Sequence, residues 1–161
     1  MKIAIVSDTH DQADRVERAL ALARVRGAEL VIHCGDIVGP EIVELFRGWT
    51  AHFVFGNCDW DQAGLKEAMA GIGATCHENY GHLELEGVHL AFIHGHDTNL
   101  MNELRTSGAF AYLFHGHTHF AMDRQFGPTR VINPGALQRA AIKTFVVLDL
   151  ATGEAESVVV E

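Results

Sequence analysis

The ten residues MKIAIVSDTH, Met1 to His10, decide the fold class. Lys2 to Val6 is a short, nearly unbroken apolar run, as expected of a strand covered on both faces. It runs straight into a polar cluster, Asp8-Thr-His10, instead of a turn. The next segment, Gln12 to Arg26, places Ala13, Val16, Leu20 and Ala23 on one helical face, with Gly27 as its stop and Asp11 as a possible cap. Glu29–His33 predicts a second buried strand, Glu41–Phe46 a short helix behind Pro40, His52–Phe55 a third strand and Ala63–Ala70 a helix. Strand and helix in alternation favour a parallel sheet with right-handed crossovers.

The second half is strand-rich. His82 to Ile93 reads as a hairpin turning at Glu86-Gly87, followed by a helix over Asn99–Arg105 and a strand over Ala109–Phe114. Further strands are predicted over 120–126, 130–132, 144–149 and 156–160, with Thr152-Gly153 as the last turn. No repeat, linker or charge run divides the 161 residues, which suit a single domain of two packed sheets flanked by helices.

The polar residues collect where strands end. Asp8-x-His10 follows the first strand, Gly35-Asp36 the second and Gly56-Asn57-Cys58-Asp59 the third. His94-Gly-His96 and Gly116-His117-Thr-His119 follow two later ones. Alone, each cluster is weak, since 11 His in 161 residues give about 0.7 His-x-His pairs by chance. A bland reading as caps and surface polar groups covers any one cluster, but not five in register at the carboxyl ends of strands, where open α/β sheets bind ligands. Asp, Asn and neutral His offer oxygen and nitrogen donors, suited to Mn, Fe, Co, Ni or Zn. Two carboxylates, one amide and four imidazoles exceed one ion's needs but suit a pair of ions roughly 3.5–4 Å apart, the arrangement used in phosphate ester cleavage.

The ordered motifs HCGDI (33–37), GNCD (56–59), HGH (94–96), GHTH (116–119) and Asn133-Pro134-Gly135 resemble the calcineurin-like metallophosphoesterases, and among them the small YfcE-type branch. The resemblance spans Lys2 to about Val160 and implies a four-layer αββα sandwich of two mixed sheets with no cap domain. It implies one ion held by Asp8, His10, Asp36 and His119, and another held by Asp36, Asn57, His94 and His117, with Asp36 as the bridge. It also implies hydrolysis of a small phosphodiester by a hydroxide lying between the two ions, Mn being the first expectation. The position after Asn57, commonly a histidine in the wider family, is Cys58 here, a poor acid with a thiol pKa near 8.5. His96 is then the first candidate to protonate a leaving group and Asp59 the second, and diesters with phenolic leaving groups are favoured over monoesters. The rival reading is a metal-binding scaffold or regulatory module of the same fold, against which the complete ligand set argues.

Composition bounds the rest. A formal charge of −9 with only 12 Lys and Arg argues against broad nucleic-acid binding and leaves a small phosphorylated substrate as the expected partner. No stretch suits a membrane span or signal peptide. Cys34, Cys58 and Cys76 lack framework spacing, which suggests the cytoplasm, and a homo-oligomer is compatible with the chain. His33 is expected to orient a neighbour, His115 to support or pack beside the motif, and Trp60 and Tyr80 either to wall a cleft or to pack.

Overall fold

The computed structural model describes residues 1–161. β1 (Lys2–Val6), β2 (Leu30–His33), β3 (Thr50–Phe53) and β4 (Thr75–Cys76) pair in parallel and are linked by α1 (Ala13–Val25), α2 (Pro40–Glu44) and α3 (Gln62–Gly71). The chain then builds a second sheet. β5 (Tyr80–Leu85) and β6 (Val88–Ile93) form the expected hairpin, α4 (Thr98–Thr106) follows, and β7 (Tyr112–Phe114), β8 (Met122–Phe126) and β9 (Thr129–Asn133) complete the order β5-β6-β7-β9-β8. β10 (Thr144–Asp149) returns to pair antiparallel with β1, and β11 (Ala155–Val159) forms the edge beyond it. Both sheets are therefore mixed.

Strand alternation sorts the core into three apolar layers. Val147, Ala4, Val31 and Ala51 lie in register across the first sheet and face Val16, Leu20, Ile42 and Leu65 of the helices. Their neighbours on the opposite face, Ile3, Ile5, Ile32 and Val146, meet Leu90, Phe92, Phe114 and Ile132 of the second sheet. Ala91, Ile93, Leu113 and Val131 then cover Leu104 of α4. Three apolar layers separate four structural ones, giving the expected αββα sandwich. Fully burying a side chain such as Phe92 contributes roughly 1.5–3 kcal/mol.

Several boundaries move. β4 has two residues, too short to show any periodicity, and was not expected. The strand expected over 109–114 pairs only from Tyr112, and the one expected from Phe120 begins at Met122. Asp11 does not cap α1, because it sits at φ 60° and Gln12 holds the cap position without a side-chain bond. Asp61 and Asp97 do cap, accepting from Gly64 N, and from Asn99 N and Leu100 N. No helix is long and apolar enough to cross a membrane.

Candidate metal centre

The parallel pairing of β1, β2 and β3 puts Asp8, His10, Asp36 and the Asn57–Asp59 turn at one edge of the first sheet. The parallel β6 and β7 do the same for His94, His96, His117 and His119 on the second. The backbone is bent hard to do this. Asp8 (φ 54°), His10 (40°), Asp36 (58°), His117 (67°) and His119 (62°) are all left-handed, a conformation that non-glycine residues seldom adopt. Two glycines are needed for space. A Cβ on Gly56 would lie 2.1 Å from Asp36 Oδ1, and one on Gly116 would lie 1.8 Å from Ser7 Oγ and 2.5 Å from Asp8 Oδ2.

Asp8, His10, Asp36 and His119 converge, with one donor atom from each lying within 4.8 Å of the others. His119 Nε2 lies 3.1 Å from Asp8 Oδ1, and His10 Nε2 lies 3.4 Å from Asp36 Oδ2. Despite that closeness, Asp8 Oδ1 and both ring nitrogens of His10 are buried without a hydrogen-bond partner. Uncompensated burial of such groups costs on the order of 1–3 kcal/mol each, and a cation among them removes that cost. The donor set therefore fits a metal. Asp8 is held by its other oxygen, which accepts from Ser7 Oγ at 2.6 Å and His117 N at 3.1 Å.

The second set is looser. His94 Nε2, also buried and unpartnered, lies 3.4 Å from Asp36 Oδ1, so the Asp36 carboxylate turns one oxygen to each side. His94 donates its Nδ1–H to Cys34 O at 2.8 Å, which leaves the Nε2 lone pair facing the centre. The His117 ring is exposed and packs edge-on to His94 with centroids 5.1 Å apart. Asn57 is exposed, its amide turned to Cys58 Sγ at 3.7 Å. Burial opposes the Asp36 charge, but His94 and the Cys58 amide hold its carboxyl well below the ordinary range. Asp8 is also lowered, its contacts with His10 and Ser7 outweighing burial. Two permanent anions face a ring of imidazoles.

The three acid candidates sit differently. The exposed His96 ring is 5.5 Å from that of His94 and 6.2 Å from that of His117, at the mouth of the centre. Cys58 is half-buried, and burial and the Asp36 charge raise its thiol further. Asp59 is buried and accepts from four backbone amides, those of Gly56 (2.6 Å), Asp36 (2.9 Å), Ile37 (2.8 Å) and Val38 (2.8 Å). Burial nevertheless pushes its carboxyl upward, but four donors aimed at one carboxylate favour the charged form. Asp59 therefore shapes the turn that presents Asp36.

Two supporting residues escaped sequence reasoning. Asn133 donates to Gly116 O (2.9 Å) and Thr118 Oγ1 (3.0 Å) and accepts from Gly135 N (3.0 Å), tying the histidine loop to the turn after β9. Ser7 orients Asp8. The only available signal for Asn133 was its place in the Asn-Pro-Gly motif. His33, as expected, orients neighbours: Nδ1 accepts from Gly35 N at 3.1 Å and Nε2 faces Thr9 Oγ1 at 3.2 Å. His115 is buried, with Nδ1 3.1 Å from Gly116 O. Trp60 is exposed rather than packed.

The family model for the calcineurin-like phosphoesterase superfamily domain matches residues 1–153. A phosphodiesterase of Methanocaldococcus jannaschii is 30% identical over 166 residues, covering 100% of this chain and 100% of that protein. The solved structure of an archaeal phosphodiesterase superposes with a TM-score of 0.93 at 28% identity, covering 99% of this chain and 100% of that one. YfcE, a phosphoesterase from E. coli, shares the fold over 100% of both chains, with a TM-score of 0.70 at 20% identity. By sequence and by architecture, the chain belongs to the calcineurin-like phosphoesterase superfamily.

Proposed function

We propose that the chain hydrolyses small phosphodiesters at a centre of two divalent ions, with Mn²⁺ the first ion to test and the cytoplasm its place of action. Asp8, His10, Asp36 and His119 would hold one ion, and Asp36, Asn57, His94 and His117 the other. The observation that carries this reading is the set of buried, unpartnered atoms Asp8 Oδ1, His10 Nε2 and His94 Nε2 gathered around the Asp36 carboxylate. The relatives that bear the name phosphodiesterase support the diester over the monoester.

Bound divalent ions supply Lewis acidity at the phosphoryl oxygens and make water acidic enough to attack near neutral pH. The chain itself does the positioning. Asp59 fixes the turn carrying Asp36, Cys34 O sets the His94 tautomer, and Ser7 with the His117 amide orients Asp8. His96, exposed beside His94, would give a proton to the departing oxygen, a reading supported by its nearness to the candidate ligands. Cys58 is not, since its raised thiol pKa makes it a poor donor.

The test is turnover of a chromogenic aryl phosphodiester with Mn²⁺, alongside metal content by mass spectrometry. Wild type is expected to hold two ions per chain. Asp36→Ala and His117→Ala are expected to lose about a hundredfold or more in kcat/KM, in line with losing a metal ligand or its support. Full activity in either variant would sink the two-ion reading. Metal binding with no turnover for any divalent ion would make the chain a metal-loaded scaffold of this fold.

A further inference from the structure

Beside the metal centre runs an open groove of about 560 Å³, lined by Thr118, His119 and Phe120 on one side and by Arg139, Ala141 and Ile142 on the other. It is continuous with the centre through His119. Its walls hold two of the most exposed large apolar side chains of the molecule, Phe120 at 78% and Ile142 at 65%. Both walls are anchored. Asn133 bonds Thr118 of one wall and accepts from Gly135 N, on the turn that leads to the other. Leu137 N and Gln138 N donate to Ser7 O and Asp8 O, and Arg15 holds the Gln138 side chain at 2.6 Å. The chain then kinks at Arg139, with φ 59°. Arg139 is exposed and is absent from the ion pairs that engage Arg26, Arg47, Lys66 and Arg130. It lines the same groove as His119, one of the candidate ligands. A cation without an ion-pair partner thus shares the groove with the candidate ligand His119 and with two exposed apolar side chains.

We propose that this groove is the subsite for the second ester group of a phosphodiester whose substituent is aromatic, packed between Phe120 and Ile142, while Arg139 grips a non-esterified phosphoryl oxygen. The inference rests on the phosphodiesterase reading. One arginine matches the single negative charge of a diester. A polynucleotide would need several cations that a chain of net charge −9 does not offer here. A short alkyl substituent would leave both apolar walls in water, and a monoester has no group to place there.

The test compares phenyl p-nitrophenyl phosphate with methyl p-nitrophenyl phosphate on the Mn²⁺-loaded enzyme, so that the leaving group is constant. The expected preference for the phenyl ester is about tenfold in kcat/KM, after correction for uncatalysed reactivity, as burial of one ring allows. Phe120→Ala and Ile142→Ala should each cut that preference about threefold or more. Arg139→Gln should lower kcat/KM for both esters about tenfold. Independently of turnover, diphenyl phosphate added to Zn²⁺-loaded, methyl-labelled protein should shift the Ile142 methyl signals in NMR. Equal rates for the two esters, a preference that survives Phe120→Ala, or unmoved Ile142 signals would overturn the groove assignment while leaving the phosphodiesterase reading intact. Self-association abolished by Ile142→Asp would also overturn it, giving the groove to a second copy of the chain. Turnover of neither ester would overturn the phosphodiesterase reading, and the groove assignment with it.

Discussion

In the proposed reaction His96 would supply the proton that Cys58, with its raised thiol pKa, is poorly suited to give. A leaving group that departs as a stable anion needs no acid, whereas an alkoxide does, so the two substrate types separate the roles. His96→Gln is expected to lower kcat for an alkyl leaving group about a hundredfold, and for p-nitrophenolate less than about threefold, by the usual range of general-acid effects. Equal losses on both would remove His96 from proton transfer. Single residues were legible in the sequence where their chemistry is their own: the carboxylates and imidazoles at strand ends could be picked out because few other uses explain five such clusters together. The roles of Asp59 and Asn133 were not legible, because they serve backbone amides and carbonyls that exist as a target only once the turns have folded. The placement of Asn57 was equally hidden: its exposed amide turns towards the neighbouring thiol.

Among the elements, the loop after β7 and the turn after β9 act as one unit because Asn133 joins them. Asn133→Ala removes three hydrogen bonds and leaves the buried Gly116 carbonyl without this donor. A stability loss of about 1–3 kcal/mol is expected in urea denaturation, with about tenfold weaker metal binding in a chelator competition. A variant of wild-type stability and affinity would show that the two loops hold their positions separately. Elements with a strong period were readable from sequence: α1 through Val16, Leu20 and Ala23, and β1 through its apolar run. β4 was not, because Thr75-Cys76 offers only two residues and owes its strand to the edge of β3. Ala109 and Phe110 have a strand's composition but lie before the short pairing of β7 with β6 and β9, which Ala111 joins only through backbone bonds to His89 and Arg130.

At the scale of the whole molecule, pH acts through histidines that folding keeps neutral. Burial lowers His33 to about 3 and His52 to about 4, each from 6.5, with His77 beside His52 lowered as well. The folded state therefore binds fewer protons than the unfolded chain between these values and 6.5. Stability from these groups is complete above about pH 6.5 and is lost as pH falls towards 4. Buried His115, lowered to about 4 chiefly by burial, behaves the same way. Denaturation of chelator-treated protein at pH 6.5 and 4.5 should therefore show a drop on the order of 5 kcal/mol, with His33 and His115 the main contributors and His52 discounted for its partial exposure. His33→Gln should flatten the slope, and a stability independent of pH over that interval would contradict the burial argument.

The two sheets meet across an apolar layer, but the groups gathered at their shared edge come from both: Asp8, His10 and Asp36 from one, His94, His117 and His119 from the other. An ion held by such a set is a rivet between halves of the sandwich. Ligand at a hundredfold excess over its Kd adds about 2.7 kcal/mol to the folded state, and here that gain falls on the joint where the layers would part. A chain starved of metal would open along that joint first, exposing Phe92 and Phe114 to proteases. The supply of metal would then govern how long each copy of the protein survives, as well as whether it works.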